Sequence, residues 1–136
     1  MRLLPVLNEG EPSMKKIEYK ELSWNLNPEN VSIGFNEKMI FGSRFDVAHA
    51  VIAPKESLKK HFHERGEDGQ EVFCFYKGGH FRIGLKDSEE VVDTKKPVYV
   101  NFSNHEVHGI TNLSDKKLEF QVWCSPPFKK DEVTLL

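Results

Sequence analysis

No apolar run in this sequence approaches the ~20 residues of a membrane-spanning helix. The only leader-like stretch, MRLLPVL, is short and runs at once into Asn8, Glu9 and Glu11, so the expectation is a cytoplasmic chain with no membrane partner. Cysteine is equally scarce. Cys74 and Cys124 are the only two, too few for a disulfide-stapled secreted domain, and both are expected to be reduced, buried thiols. Basic charge is not in excess either, with 19 basic against 21 acidic side chains and a net charge of -2, which removes nucleic acid from the expected partners. The lysine pairs at 15–16, 59–60, 95–96, 116–117 and 129–130 each stand beside a turn signal or strand end and read as solvated surface.

A sustained helical period is also missing, and in its place stand short alternating runs broken by turn residues. FDVAHAVIA at 45–53 alternates and is closed by Pro54. EVFCFY at 71–76 and FRIGL at 81–85 flank Gly78 and Gly79 and read as a hairpin, and EVV (90–92), PVYVNF (97–102) and EFQVWC (119–124) follow. Many short strands at this spacing predict an all-β sandwich or small barrel. The 136 residues, with ten Phe to fill a core, are the size of one domain. Residues 1–13 read as an N-terminal extension and 14–136 as the domain. KKDEVTLL at the end reads as a last short element or a frayed tail.

The chemistry gathers in HFHERGEDGQE, residues 61–71. On a strand His61 and His63 leave the same face with Cβ atoms roughly 6.5 to 7 Å apart, near enough for both imidazoles to reach one ion. Glu71 opens the next strand after a polar loop and could return a carboxylate beside them. His108, in NHEVHGITN, could supply a third imidazole. Neutral imidazoles with a carboxylate suit a divalent transition metal such as Fe, Mn, Ni, Co or Zn, and such a set leaves coordination positions open, in the manner of catalytic sites. Phe73 and Phe75 share the face of Glu71 and would wall the pocket with apolar surface. His105 stands three residues before His108 and reads as a pocket group, a proton carrier, an alternative ligand or a turn residue. His49, on its alternating strand, reads as a core or pocket-wall histidine, and Tyr99 is a further pocket candidate.

In order and spacing these residues resemble the two signature motifs of the cupin superfamily, G-x5-H-x-H-x3,4-E-x6-G and G-x5-P-x-G-x2-H-x3-N. His61-Phe62-His63 supplies H-x-H, Glu71 through Gly78 supplies E-x6-G, and His108 through Asn112 supplies H-x3-N, within a stretch covering residues 44–128. Lys55 stands at the first glycine, seven residues separate His63 from Glu71, and Pro97, Ser103 and His105 replace Gly, Pro and Gly of the second motif. The resemblance implies a single-domain antiparallel jelly-roll β-barrel, with a metal held by His61, His63, Glu71 and His108. It also implies a homodimer built through N-terminal strands, here from residues 15–45. The implied function is a metal-dependent enzyme acting on a small polar metabolite, of dioxygenase, isomerase, lyase or decarboxylase type, or alternatively a non-catalytic binder of a small molecule or sugar. Glu67 would restore the shorter motif spacing, but Cys74 rather than Gly lies seven residues beyond it. Calorimetric metal titration should therefore show Glu71→Ala weakening binding far more than Glu67→Ala, and the reverse order would move the carboxylate to Glu67.

Overall fold

The computed structural model describes residues 16–26, 31–36, 39–41, 45–64, 69–103, 105–127 and 133–135. The expected extension 1–13, the Glu67 alternative and most of the 64–70 loop lie outside them. Apart from a 3-10 turn at Tyr19–Glu21 the described elements are strands. One sheet contains β1 (Ser23–Leu26), β2 (Val31–Phe35), β3 (Ile40–Phe41), β4 (Phe45–Ile52), β6 (Gln70–Phe75), β9 (Val98–Ser103) and β11 (Leu118–Ser125). The other contains β5 (Ser57–His63), β7 (Gly79–Gly84), β8 (Glu89–Thr94), β10 (His108–Asn112) and β12 (Val133–Leu135). Their orders are β1-β2-β4-β11-β6-β9, with β3 also against β4, and β12-β5-β10-β7-β8. Every pairing is antiparallel. Among the described residues no strand belongs to both sheets, so the jelly roll is a face-to-face sandwich that no continuous ladder closes into a barrel.

From β4 onward the chain crosses between the sheets at almost every connection, and the expected hairpin of 71–76 with 81–85 does not form. β6 ladders with β11 and β9, whereas β7 ladders with β10 and β8. The intervening turn is a corner between sheets. Gly78 (φ +66) makes it possible, because a Cβ there would stand 2.2 Å from the Thr94 carbonyl oxygen. Period-two alternation survives the correction, since it marks which face of a strand is buried whatever the strand pairs with.

Apolar side chains from the two inward faces fill the gap. Phe73, Phe75 and Phe120 come from the first sheet and Phe81, Ile83 and Ile110 from the second. Phe75 stacks on Phe81 with ring centroids 4.0 Å apart, and Phe120 tilts against Phe75 at 4.7 Å. Each such ring contributes roughly 1.5–3 kcal/mol by leaving water. On β4 the inward residues are Ala48, Ala50 and Ile52. The set offset by one residue, which includes His49, faces the other way.

Two non-glycine residues with positive φ, Lys55 (φ 64) and His105 (φ 66), occupy two of the three motif positions where this chain lacks the glycine that the resemblance leads one to expect. The turns keep the left-handed conformation at a cost of order 1 kcal/mol each, and each has compensating bonds. Lys55 Nζ donates to the Leu113 carbonyl at 2.6 Å, and the His105 amide donates to the His63 carbonyl at 3.1 Å, tying the approach to β10 to the end of β5. Asn112, fully buried, clamps the opposite end. Its Nδ2 donates to the carbonyls of Ile52, Ala53 and Lys116, and its Oδ1 accepts from the Ser114 amide and hydroxyl. Asn112→Ala would strand several of these buried groups and should cost about 3 kcal/mol or more, read as a lowered urea midpoint with an unchanged slope.

Candidate metal centre

The antiparallel register of β10 with β5 sets His108 opposite His61, and His63 lies two residues on along the same face of β5. The ladder is irregular between His108 and Ile110. There Gly109 lets the strands close, because a Cβ on it would stand 2.9 Å from the Leu58 carbonyl oxygen and 3.0 Å from the Lys60 nitrogen. Ring centroids are 4.4 Å apart for His61 and His108, 4.9 Å for His61 and His63, and 5.5 Å for His63 and His108. Glu71 arrives from the other sheet. The sequence reading has the next strand return the carboxylate beside the histidines, but β5 and β6 belong to different sheets and the carboxylate crosses the sandwich to meet the rings. Oε1 lies 2.7 Å from His108 Nε2, and Oε2 lies 3.5 Å from His63 Nε2.

All four residues are buried, and one potential ligand atom from each lies within 4.8 Å of every other. Backbone carbonyls fix two tautomers: His61 Nδ1–H donates to Lys59 at 2.8 Å and His108 Nδ1–H to Glu106 at 2.9 Å. Each ring then turns Nε2 into the site, as metal-binding imidazoles do. Burial, reinforced by repulsion from His108, lowers the His61 pKa to about 4 and keeps the ring neutral at pH 7. Burial pushes Glu71 the opposite way, but the adjacent His108 and His63 rings outweigh it and hold the carboxyl well below its usual range. A carboxylate oxygen and an imidazole lone pair 2.7 Å apart repel unless a cation lies between them, and a proton or a metal ion meets that need. The donor set of three imidazoles and one carboxylate thus fits a first-row divalent ion.

A cavity of about 90 Å³ adjoins the cluster, with Ile33, Ala48, Leu58, Phe73, Phe120 and Val122 among its walls. Phe102 stacks on His108 at 4.3 Å and Phe73 meets it edge-on at 5.5 Å. Of the expected pocket residues, only Phe73 lines this cavity. Phe75 shares its face but sits deeper, stacked on Phe81. His49 lies on the far face of the first sheet, 3.4 Å from Glu119 and packed against Tyr19 and Trp24. Tyr99 is 69% exposed, and His105 is exposed on its left-handed turn, its ring 6.2 Å from that of Phe62.

Two other protic side chains share the inward row of Glu71. Cys124 pairs with Glu71 across β6 and β11, and Asp46 pairs with Cys124 across β11 and β4; both are buried. The Cys124 thiol donates to Glu71 Oε2 at 3.4 Å. Asp46 carries a signal that the sequence reading passed over, as the one acid within a strand whose other residues, His49 apart, are apolar.

No family model matches the sequence, and no curated protein does. Solved structures do match. The polyketide cyclase RemF from Streptomyces resistomycificus is 18% identical with a TM-score of 0.65, over 90% of this chain and 85% of that one. The nucleoside dehydratase Pac13 of Streptomyces is 11% identical with a TM-score of 0.65, over 91% and 92%. The capsular polysaccharide assembling protein CapF from Staphylococcus aureus is 20% identical with a TM-score of 0.64, over 85% of this chain but only 31% of CapF. At such identities the likeness establishes the fold alone. Because groups that hydrogen-bond to a metal-binding side chain typically change metal affinity ten- to a hundredfold, Cys124→Ala should weaken metal binding by roughly tenfold in a competitive chelator titration, with Cys124→Ser recovering part of the loss.

Proposed function

We propose that this chain, whose fold is that of a cupin, binds one divalent transition metal at His61, His63, Glu71 and His108 and is a metal-dependent enzyme acting on a small polar metabolite. The observation that carries the reading is the convergence of three imidazoles from one sheet and a carboxylate from the other beside a cavity with largely apolar walls. When bound, the ion would supply Lewis-acid polarisation of a chelating carbonyl or carboxylate, or a binding place for dioxygen if it is iron. The chain's own residues set the conditions. Carbonyls at Lys59 and Glu106 aim two imidazoles, Cys124 orients Glu71, and Phe73, Phe102 and Phe120 exclude water so that electrostatic contacts act at low dielectric.

Proton transfer would fall to Cys124, the protic group that lines the cavity beside Glu71. A volume near 90 Å³, below the roughly 300–1,000 Å³ of larger ligand sites, fits a substrate that presents only a few atoms to the ion. RemF and Pac13, a cyclase and a dehydratase, support an enzyme. One observation favours the alternative of a non-catalytic binder: none of His49, His105 and Tyr99 lines the cavity. Residues 14–136 would form the single domain of a cytoplasmic homodimer. Among the described residues no helix is long and apolar enough to cross a membrane.

Elemental analysis of the purified protein should find about one transition metal per chain, and His61→Ala with His63→Ala should abolish it. Full occupancy in the double variant would refute the assignment. A panel of small carboxylates and sugars then separates the readings, since turnover identifies an enzyme and saturable binding without turnover a binder.

A further inference from the structure

Lysines from two of the pairs that read as solvated surface, 95–96 and 116–117, meet Lys77 in space. The β6–β7 turn brings Lys77, the β8–β9 turn Lys95, and the β10–β11 turn Lys116 and Lys117 to one cleft of about 340 Å³, which His80, Thr94 and Ser114 also line. The metal ligands Glu71 and His108 occupy the starts of β6 and β10, whereas this cleft lies at their far ends, roughly 15 Å away along the strands. Two acids share the lining, Asp93 and Glu119. Glu119 is already engaged, accepting from the Tyr76 hydroxyl at 3.1 Å and standing 3.7 Å from Lys77 Nζ. No ion pair among the described residues engages the ammonium groups of Lys95, Lys116 or Lys117.

Four lysines against two acids give the cleft a formal charge of +2, opposite in sign to the chain's -2. The turns that hold them are built to stay in place. Gly78 packs against the carbonyls of Thr94 and Lys96, the Leu113 amide donates to the His80 carbonyl, and Asn112 with Ser114 fixes the Lys116 carbonyl. The four lysines therefore line the cleft from turns whose backbones are fixed, and their excess positive charge raises local anion concentration.

We propose that this cleft is a second ligand site, distinct from the metal centre, which takes a small molecule through its phosphate or diphosphate group. Its volume is at the lower end of small-molecule sites, roughly 300–1,000 Å³. Lysine ammoniums suit such a group as point charges that need no fixed planar geometry. A singly charged carboxylate would engage only part of the cluster, whereas a diphosphate can meet several ammoniums at once.

The test is calorimetric titration of the full-length protein with inorganic pyrophosphate, orthophosphate and acetate at about 50 mM and again at about 200 mM salt, where phosphate contacts to lysine weaken. The expected result is saturable binding of one pyrophosphate per chain, tighter than orthophosphate, undetectable for acetate, and weaker at the higher salt. Lys116→Ala with Lys117→Ala should weaken it at least tenfold, while Lys16→Ala with Lys20→Ala should not change it, with melting curves showing that each variant is folded. Binding must also persist in His61→Ala with His63→Ala, which separates this site from chelation at the metal centre. The proposal is overturned by absence of saturable binding, by equal affinity in the Lys116/Lys117 variant, by equal loss in the Lys16/Lys20 variant, or by loss in the histidine variant.

Discussion

The contact on which the rest of this structure depends is the apolar one between two sheets that, among the described residues, no hydrogen-bonded strand joins. Phe75 on Phe81 at 4.0 Å and the rings around them hold the layers together, and they do so only while the gap excludes water. Any polar group admitted there must be partnered inside it. Asn112 meets that condition at one end with five bonds, and the cluster around Glu71 meets it at the other. Both belong to the fold as much as to any chemistry, since each links segments that the ladders leave separate.

The same burial that stabilises the sandwich tunes the site. Desolvation holds His61 neutral with its Nε2 lone pair available, and it would drive Glu71 toward its neutral form if the imidazoles did not counter it. One environment thus acts on two groups in opposite senses, and hydrogen bonding decides the carboxylate. The apolar walls contribute by what they lack, because without competing water the ligand atoms meet only one another and whatever cation lies among them.

Much of this was legible in the chain. The one-residue spacing of His61 and His63 placed both rings on one face, and alternation placed Phe73 and Phe75 with Glu71. What alternation could not convey is which ladder a strand joins, so the corner at Gly78 read as a hairpin and the carboxylate was expected beside the histidines rather than across from them. A phase error of one residue separates the inward Ala48 and Ala50 from His49, and nothing in the local pattern FDVAHAVIA distinguishes its two faces, because Val47 and Val51 on the outer one are buried too. Tyr99 fits a strand equally well facing out. The lysines of the far cleft were invisible for a different reason, since turns distant in sequence meet only after the crossings between sheets are known. Lys55 and His105 show that a motif can lose its glycines and keep its backbone when other bonds hold the turn.

The division of the four candidate ligands, three on one sheet and one on the other, would have a kinetic meaning. An ion bound there would cross-link two layers that share no strand among the described residues, and it could not leave without Glu71 parting from the imidazoles. The rate at which it exchanges would then be governed by how often the sandwich breathes open, so metal release would serve as a clock for a motion that leaves both ladders intact.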